Sequence, residues 1–184
     1  MEWLALDEDE PGELVSGRLE EEEVPDALHE LAVSWLIAVF RAFLGEEGFV
    51  FGSEVKLLLS QTRGRKPDVA VYLPRRAAPP RRGPLREPPD VVVEVVTPTP
   101  RDERRDRVDK MADYAAFGVA SYWLVDPALG ALEVFELGGD GRYVRAVGAT
   151  SGIVTVAGLE GLTLDLDALW AELDRLGPEE PAGG

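Results

Sequence analysis

The chain has 184 residues, a formal net charge of −16, no cysteine and a single histidine, His29. That length suits one domain with a sizeable core, and the lack of cysteine excludes disulfides, thiolate metal sites and cysteine nucleophiles. Any metal must therefore be held mainly by oxygen. With an acidic N-terminus and no apolar stretch read as long enough for a bilayer, the expectation is a cytoplasmic protein without membrane contact.

In chain order, Glu13 to Leu19 reads as a short hairpin turning at Ser16-Gly17, followed by an acidic loop over 20–23. Pro25-Asp26 opens a predicted helix to about Gly45, with Asp26 as N-cap and Leu28, Leu31, Trp35, Val39 and Ala42 at helical spacing. A second stripe, Leu36, Phe40 and Phe43, marks it as a core helix. Strands are expected over 49–51, 54–59 and 69–73, then a mobile Pro/Arg-rich loop over 74–89. The run Val91-Val92-Val93-Glu94-Val95-Val96 is the next strand, and a helix from Asp102 to Phe117 closes at Gly118. A buried strand over 120–125, with Tyr122 and Trp123 in the core, precedes a hairpin over 132–147 and a terminal helix over 165–176. One domain over 1–177 with a disordered tail at 178–184 is expected.

Glu94 is the residue that demands an explanation. Valine on both sides of the pleat describes a strand covered on both faces. An ionised carboxylate there is costly unless it is paired or bound to a metal. Charge distribution adds a second signal. Residues 1–30 carry 12 acidic side chains and 1 basic one, whereas residues 63–110 carry 13 basic against 8 acidic. The acidic total argues against simple electrostatic binding of nucleic acid, so the expectation is a local basic rim from Arg63, Arg65, Arg75, Arg76, Arg81, Arg82, Arg101, Arg104 and Arg105, with the acidic ends elsewhere.

The order of these elements suggests a mixed sheet with helices on both faces. Pro67-Asp68, followed by Glu94 in an apolar strand, resembles the PD-(D/E)XK nuclease superfamily. Glu13-Leu-Val-Ser-Gly17, Lys66-Pro-Asp-Val69, 88–98, Asp106-Arg-Val-Asp-Lys110-Met-Ala-Asp-Tyr114 and 118–127 resemble, in order, the Uma-type restriction endonuclease family over roughly residues 12–137. The resemblance implies an α/β restriction-endonuclease-like fold, a mixed sheet flanked by helices with an additional C-terminal hairpin and helix. It implies a Mg²⁺- or Mn²⁺-dependent endonuclease acting on DNA, with Asp68, Glu94 and the Val95 carbonyl as metal ligands. The superfamily lysine two residues after the glutamate is replaced here by Val96, and the family resemblance moves it to Lys110 on the following helix. Glu13 matches a family glutamate that reaches the metal or its water, although Gly12 stands where the family prefers tyrosine. His29 matches a family histidine and is read as a hydrogen-bonded structural residue.

The chemistry suits these residue types. Two carboxylates and a carbonyl can hold a hard cation through oxygen, and a nearby ammonium adds positive charge where phosphate must sit. The bland alternative for Asp106 and Lys110 is an i, i+4 surface pair. Two other classes stay open: a catalytically inactive nuclease-fold binding or regulatory module, and a small acidic scaffold. A homodimer would join two basic rims into one groove.

Overall fold

The computed structural model describes residues 3, 12–20, 25–74, 77–99 and 104–177. Its elements are β1 (Glu13–Val15), β2 (Arg18–Glu20), α1 (Ala27–Leu44), β3 (Phe49–Phe51), β4 (Leu57–Ser60), β5 (Arg63–Arg65), β6 (Val69–Tyr72) and β7 (Val91–Val95). A π-helical turn, Arg105–Lys110, then runs directly into α2 (Met111–Phe117). β8 (Ser121–Asp126), β9 (Ala131–Leu137), β10 (Tyr143–Ala149), β11 (Ile153–Val154), β12 (Leu164–Asp165) and α3 (Leu166–Leu173) complete the described chain.

The main sheet has six strands in the order β10-β9-β8-β7-β6-β3. Only β7 and β8 run parallel; the other neighbours are antiparallel. The predicted C-terminal hairpin is thus an extension of this sheet. A smaller antiparallel sheet, β2-β1-β5-β4, includes the strand Arg63–Arg65 that the sequence pattern did not reveal. With arginine on both sides of a glycine, β5 has no apolar alternation to read.

Alternation along β7 divides the core in two. Val91, Val93 and Val95 join α1 and α3 in one apolar cluster with Trp123 and Val125, while Val92 and Val96 join Tyr114, Tyr122 and Leu124 in another. Every residue of β7 is buried, so the strand is covered on both faces as its valines predict. Glu94 shares its parity with Val92 and lies on the α2 side. The small sheet leans over that same side through Leu57, which packs in the same cluster.

Asp26 caps α1 by accepting the backbone N–H of His29 at 2.8 Å. The deepest contacts of α1 come from Ala32, Val33, Leu36, Phe40 and Leu44, rather than from the stripe through Trp35 and Val39, which is only partly buried. The expectation that no stretch could span a bilayer does not hold by length and composition, because α1 is long and apolar enough. Here its apolarity serves the core: Phe40 meets Trp123 with ring centroids 5.2 Å apart.

Two further expectations change. The spacing of Val108, Met111 and Ala115 predicts an apolar stripe beside the sheet; Met111 does pack, partly buried, against the Tyr114 cluster, but Val108 does not. Val108 is 57% exposed, whereas Asp106, Lys110 and Tyr114 are buried. A step of four residues overshoots a full turn in an α-helix and falls short of one in the wider π turn. The two offsets oppose each other, which aligns Asp106, Lys110 and Tyr114 on the inward face. The 74–89 loop is also tethered: Leu85 is buried and its backbone bonds to Lys56 and Leu58, each at 2.8 Å. The stretches 1–2, 4–11, 21–24 and 178–184, with the expected acidic loop and tail, lie outside the described residues, as does the predicted helix start at Asp102.

These packing assignments predict opposite outcomes for two apolar truncations. Phe40→Ala should lower stability by about 3–5 kcal/mol, while Val108→Ala should change it by less than about 0.5 kcal/mol. Urea melts of the two variants check both, and a large effect at Val108 would contradict the outward placement.

Candidate functional site

Register brings the two sequence-flagged carboxylates together. β6 and β7 are antiparallel with Val69 opposite Val93, and carrying that register one step sets Asp68 across from Glu94. Asp68 Oδ2 accepts the backbone N–H of Val95 at 2.7 Å, closing the end of the ladder with a side chain. The same oxygen lies 3.1 Å from His29 Nε2, so the N-terminal end of α1 holds the aspartate from a second direction. Asp68 Oδ1 has no hydrogen-bond partner among the described residues.

Glu94 is 0% exposed, and both its oxygens are engaged. Oε2 accepts from Lys110 Nζ at 2.8 Å, and Oε1 accepts from the Tyr114 hydroxyl at 2.7 Å. Lys110 Nζ also lies 3.2 Å from Asp106 Oδ1. The predicted surface pair is therefore buried, with Asp106 3% and Lys110 4% exposed. Tyr122 supports the turn from below, its hydroxyl donating to the Asp106 carbonyl at 2.8 Å.

Burial, followed by the Asp68, Asp106 and Glu13 carboxylates, pushes the Glu94 carboxyl well above its usual range, against the pull of Lys110. Burial also works against the Lys110 ammonium, but Glu94, Glu13, Asp106 and Asp68 outweigh it and hold Lys110 well above the ordinary lysine value. The two shifts differ in origin: burial leads the one at Glu94, and the surrounding carboxylates produce the one at Lys110. Asp68 moves the other way. Burial would raise it, yet His29, Lys110 and the Val95 N–H together hold it below the usual aspartate value.

A cavity of about 100 Å³ opens beside this cluster, lined by His29, Asp68, Val95, Asp106 and Lys110 among others. Glu94 is not among its lining residues; Lys110, bonded to it, is. Asp68, Asp106 and the Val95 backbone bring oxygen donors to this lining beside the His29 imidazole, and oxygen donors suit a hard divalent ion. Among the described residues no three acidic or histidine side chains gather as a ready-made metal cage. Asp68 lines the cavity with Oδ1 open, an oxygen that could meet a cation there, while Glu94 lies behind Lys110.

Glu13 sits behind this layer. Buried to 1%, it accepts from the Lys66 backbone N–H at 3.0 Å and from Arg65, so both of its oxygens are taken. Arg65 is itself 1% exposed and bridges Glu13 on β1 to Asp113 on α2. The basic rim is correspondingly thinner than expected. Arg65 turns inward, Arg63 pairs with Asp113 at 3.2 Å, and Lys66 is buried with Glu54 at 3.1 Å. Arg81, Arg82 and Arg104 are exposed, while Arg75, Arg76 and Arg101 lie outside the described residues.

Asp113 and Tyr114 stand in the motif that carries the resemblance without a role of their own, and Arg65 is read from sequence as rim charge. A signal existed for Tyr114, which follows Asp106 and Lys110 at successive steps of four. None existed for Arg65, because only the β1-β5 pairing makes it a bridge.

A family model named Uma2 and described as "Putative restriction endonuclease" matches residues 1–167. Among solved structures the chain is similar to "a putative nuclease belonging to DUF820" from Anabaena variabilis ATCC 29413. The TM-score is 0.74 at 19% identity, covering 94% of this chain and 97% of that one. None of the curated proteins matches the chain. The structural likeness supports the restriction-endonuclease-like α/β fold, and the family match runs over both carboxylate strands and the lysine helix. On that match the chain belongs to the Uma2 family.

Proposed function

We propose that this protein is a Mg²⁺-dependent endonuclease that hydrolyses DNA phosphodiester bonds, with Mn²⁺ able to substitute. The observation that carries the reading is the meeting of Asp68, Glu94 and Lys110 beside one cavity, although 42 positions separate the first from the last in sequence. Asp68, Glu94 and the Val95 carbonyl would hold the cation. Once bound, it would supply Lewis acidity towards a phosphate oxygen and ease deprotonation of a water.

The chain's own residues have separable tasks. Val95 N–H and His29 fix Asp68 through Oδ2 and leave Oδ1 available. Tyr114 fixes Glu94 through Oε1. Lys110 brings positive charge to the place where phosphate charge grows during cleavage, in a dry setting where such charge acts strongly. Glu13 supports the site indirectly, since Arg65 and the Lys66 N–H already occupy its carboxylate. Arg81, Arg82 and Arg104 are exposed cations available for the DNA backbone. A homodimer would let two such sites address both strands.

The inactive-module alternative draws on Val96 standing where the superfamily has lysine. The 2.8 Å contact between Lys110 and Glu94 weakens it, because an ammonium is supplied from another element.

Glu94→Gln keeps the side-chain shape and removes the charge, so it should eliminate Mg²⁺ binding while preserving the fold; unchanged affinity by calorimetry would overturn the ligand assignment. Lys110→Met should reduce cleavage by about 10²–10⁴-fold, and full retained activity would remove Lys110 from the chemistry. DNA affinity should fall with salt, and the slope of log K against log salt should drop by about 1 for each of Arg81→Ala and Arg82→Ala. A protein that binds neither DNA nor RNA at low salt with Mg²⁺ present is the inactive module.

A further inference from the structure

Both oxygens of Glu94 already accept a hydrogen bond where a divalent cation would bind. Its Oε2 is taken by Lys110 Nζ at 2.8 Å and its Oε1 by Tyr114 at 2.7 Å. Of these two donors the tyrosine is neutral and can stay while a cation binds elsewhere on the carboxylate. The ammonium would share one oxygen with a second positive charge and be repelled by it. Moving Lys110 off Oε2 relieves that repulsion and frees the oxygen for the cation.

A buried ammonium that loses its only carboxylate is strongly destabilised. Lys110 has a second one. Asp106 Oδ1 already lies 3.2 Å from Nζ, one turn earlier on the same helical segment and 3% exposed. We propose that Asp106 is a positioning residue that takes over the Lys110 ammonium when a divalent cation claims Glu94, making Lys110 an exchangeable counterion of the site. This rests on Asp68 and Glu94 holding the cation. The exchange needs only a small movement of Nζ between two oxygens that flank it. It also leaves Lys110 charged and beside the cavity, which it lines together with Asp106 and Asp68.

Competition of this kind has a thermodynamic signature independent of catalysis. Asp106 should assist cation binding only while Lys110 is present, since its task is to accept the displaced ammonium. Calorimetric titration of Mg²⁺ into the full-length protein and three variants measures this as a double-mutant cycle. Asp106→Asn should weaken Mg²⁺ binding by about tenfold, a coupling of ordinary size. Lys110→Met should tighten it by about tenfold or more, because Glu94 Oε2 is then vacated. In the double variant, Asp106→Asn should change the Lys110→Met affinity by less than about twofold.

Equal weakening by Asp106→Asn in both backgrounds would make Asp106 a direct cation ligand and overturn the proposal. So would unchanged affinity on Asp106→Asn in the wild-type background. Circular dichroism confirms that each variant is folded, and Lys110→Gln replaces Lys110→Met if the latter is not. Asp106→Asn is nearly isosteric and carries the first arm by itself. If neither the wild type nor the lysine variant binds Mg²⁺, the cation assignment of Asp68 and Glu94 has failed, and the exchange falls with it.

Discussion

Everything around the site follows from one buried carboxylate. Glu94 sits in the middle of a five-residue strand that is otherwise valine and is wholly covered. Removing a charge from water in such a place is among the costliest events in folding. The α2 segment answers it with an ammonium and a phenol aimed at the two oxygens. This explains why the inward face of that segment is polar and its Val108 faces solvent. The π turn follows the same demand, since it helps bring Asp106, Lys110 and Tyr114 into one line.

A second tier of charge holds the first in place. Arg65, almost fully buried, joins β1 to α2 through Glu13 and Asp113. Arg107, on the π turn, reaches Asp126 on β8 at 2.9 Å and Glu133 on β9. The helix that carries Lys110 is thereby clamped from the small sheet on one side and from the main sheet on the other. Losing one partner of the buried Arg65 bridges would leave the other uncompensated, so they restrict how far the segment can shift, and the partly exposed Arg107 pairs add to this. Rigid backbone and an exchangeable side chain are compatible, because the Lys110 stem can move while its Cα does not.

Much of this was legible in the residues themselves. The valine run announced a covered strand, Asp26 a helix start, and Gly118 a helix end, where it adopts φ 93° and its N–H donates closing bonds to the Tyr114 and Ala115 carbonyls. Glu94 stood out because a carboxylate in an apolar strand needs a reason, and Asp68 through the Pro67-Asp68 resemblance. What could not be read was anything set by a single long-range pairing or by local winding. Arg65 looks like surface charge until β5 pairs with β1. The inward direction of Lys110 depends on a π turn, for which Arg105–Lys110 carries no compositional mark. His29 looked like an isolated helix residue until the Asp26 cap set the end of α1 against Asp68.

The stretch between β6 and β7 divides the cluster in a particular way. Glu13, His29, Arg65 and Asp68 precede it, whereas Glu94, Asp106, Lys110 and Tyr114 follow it. Neither part contains both strand carboxylates, and only the antiparallel pairing of Val69 with Val93 unites them. A cut at the exposed Arg81-Arg82 step would therefore sever the chain between the two halves of its charge cluster while leaving the β6-β7 ladder to hold them together. Each fragment alone would be chemically incomplete. During synthesis the same division applies: a nascent chain has no assembled cluster until the second of these strands has emerged and docked, which couples competence at the site to completion of the sheet.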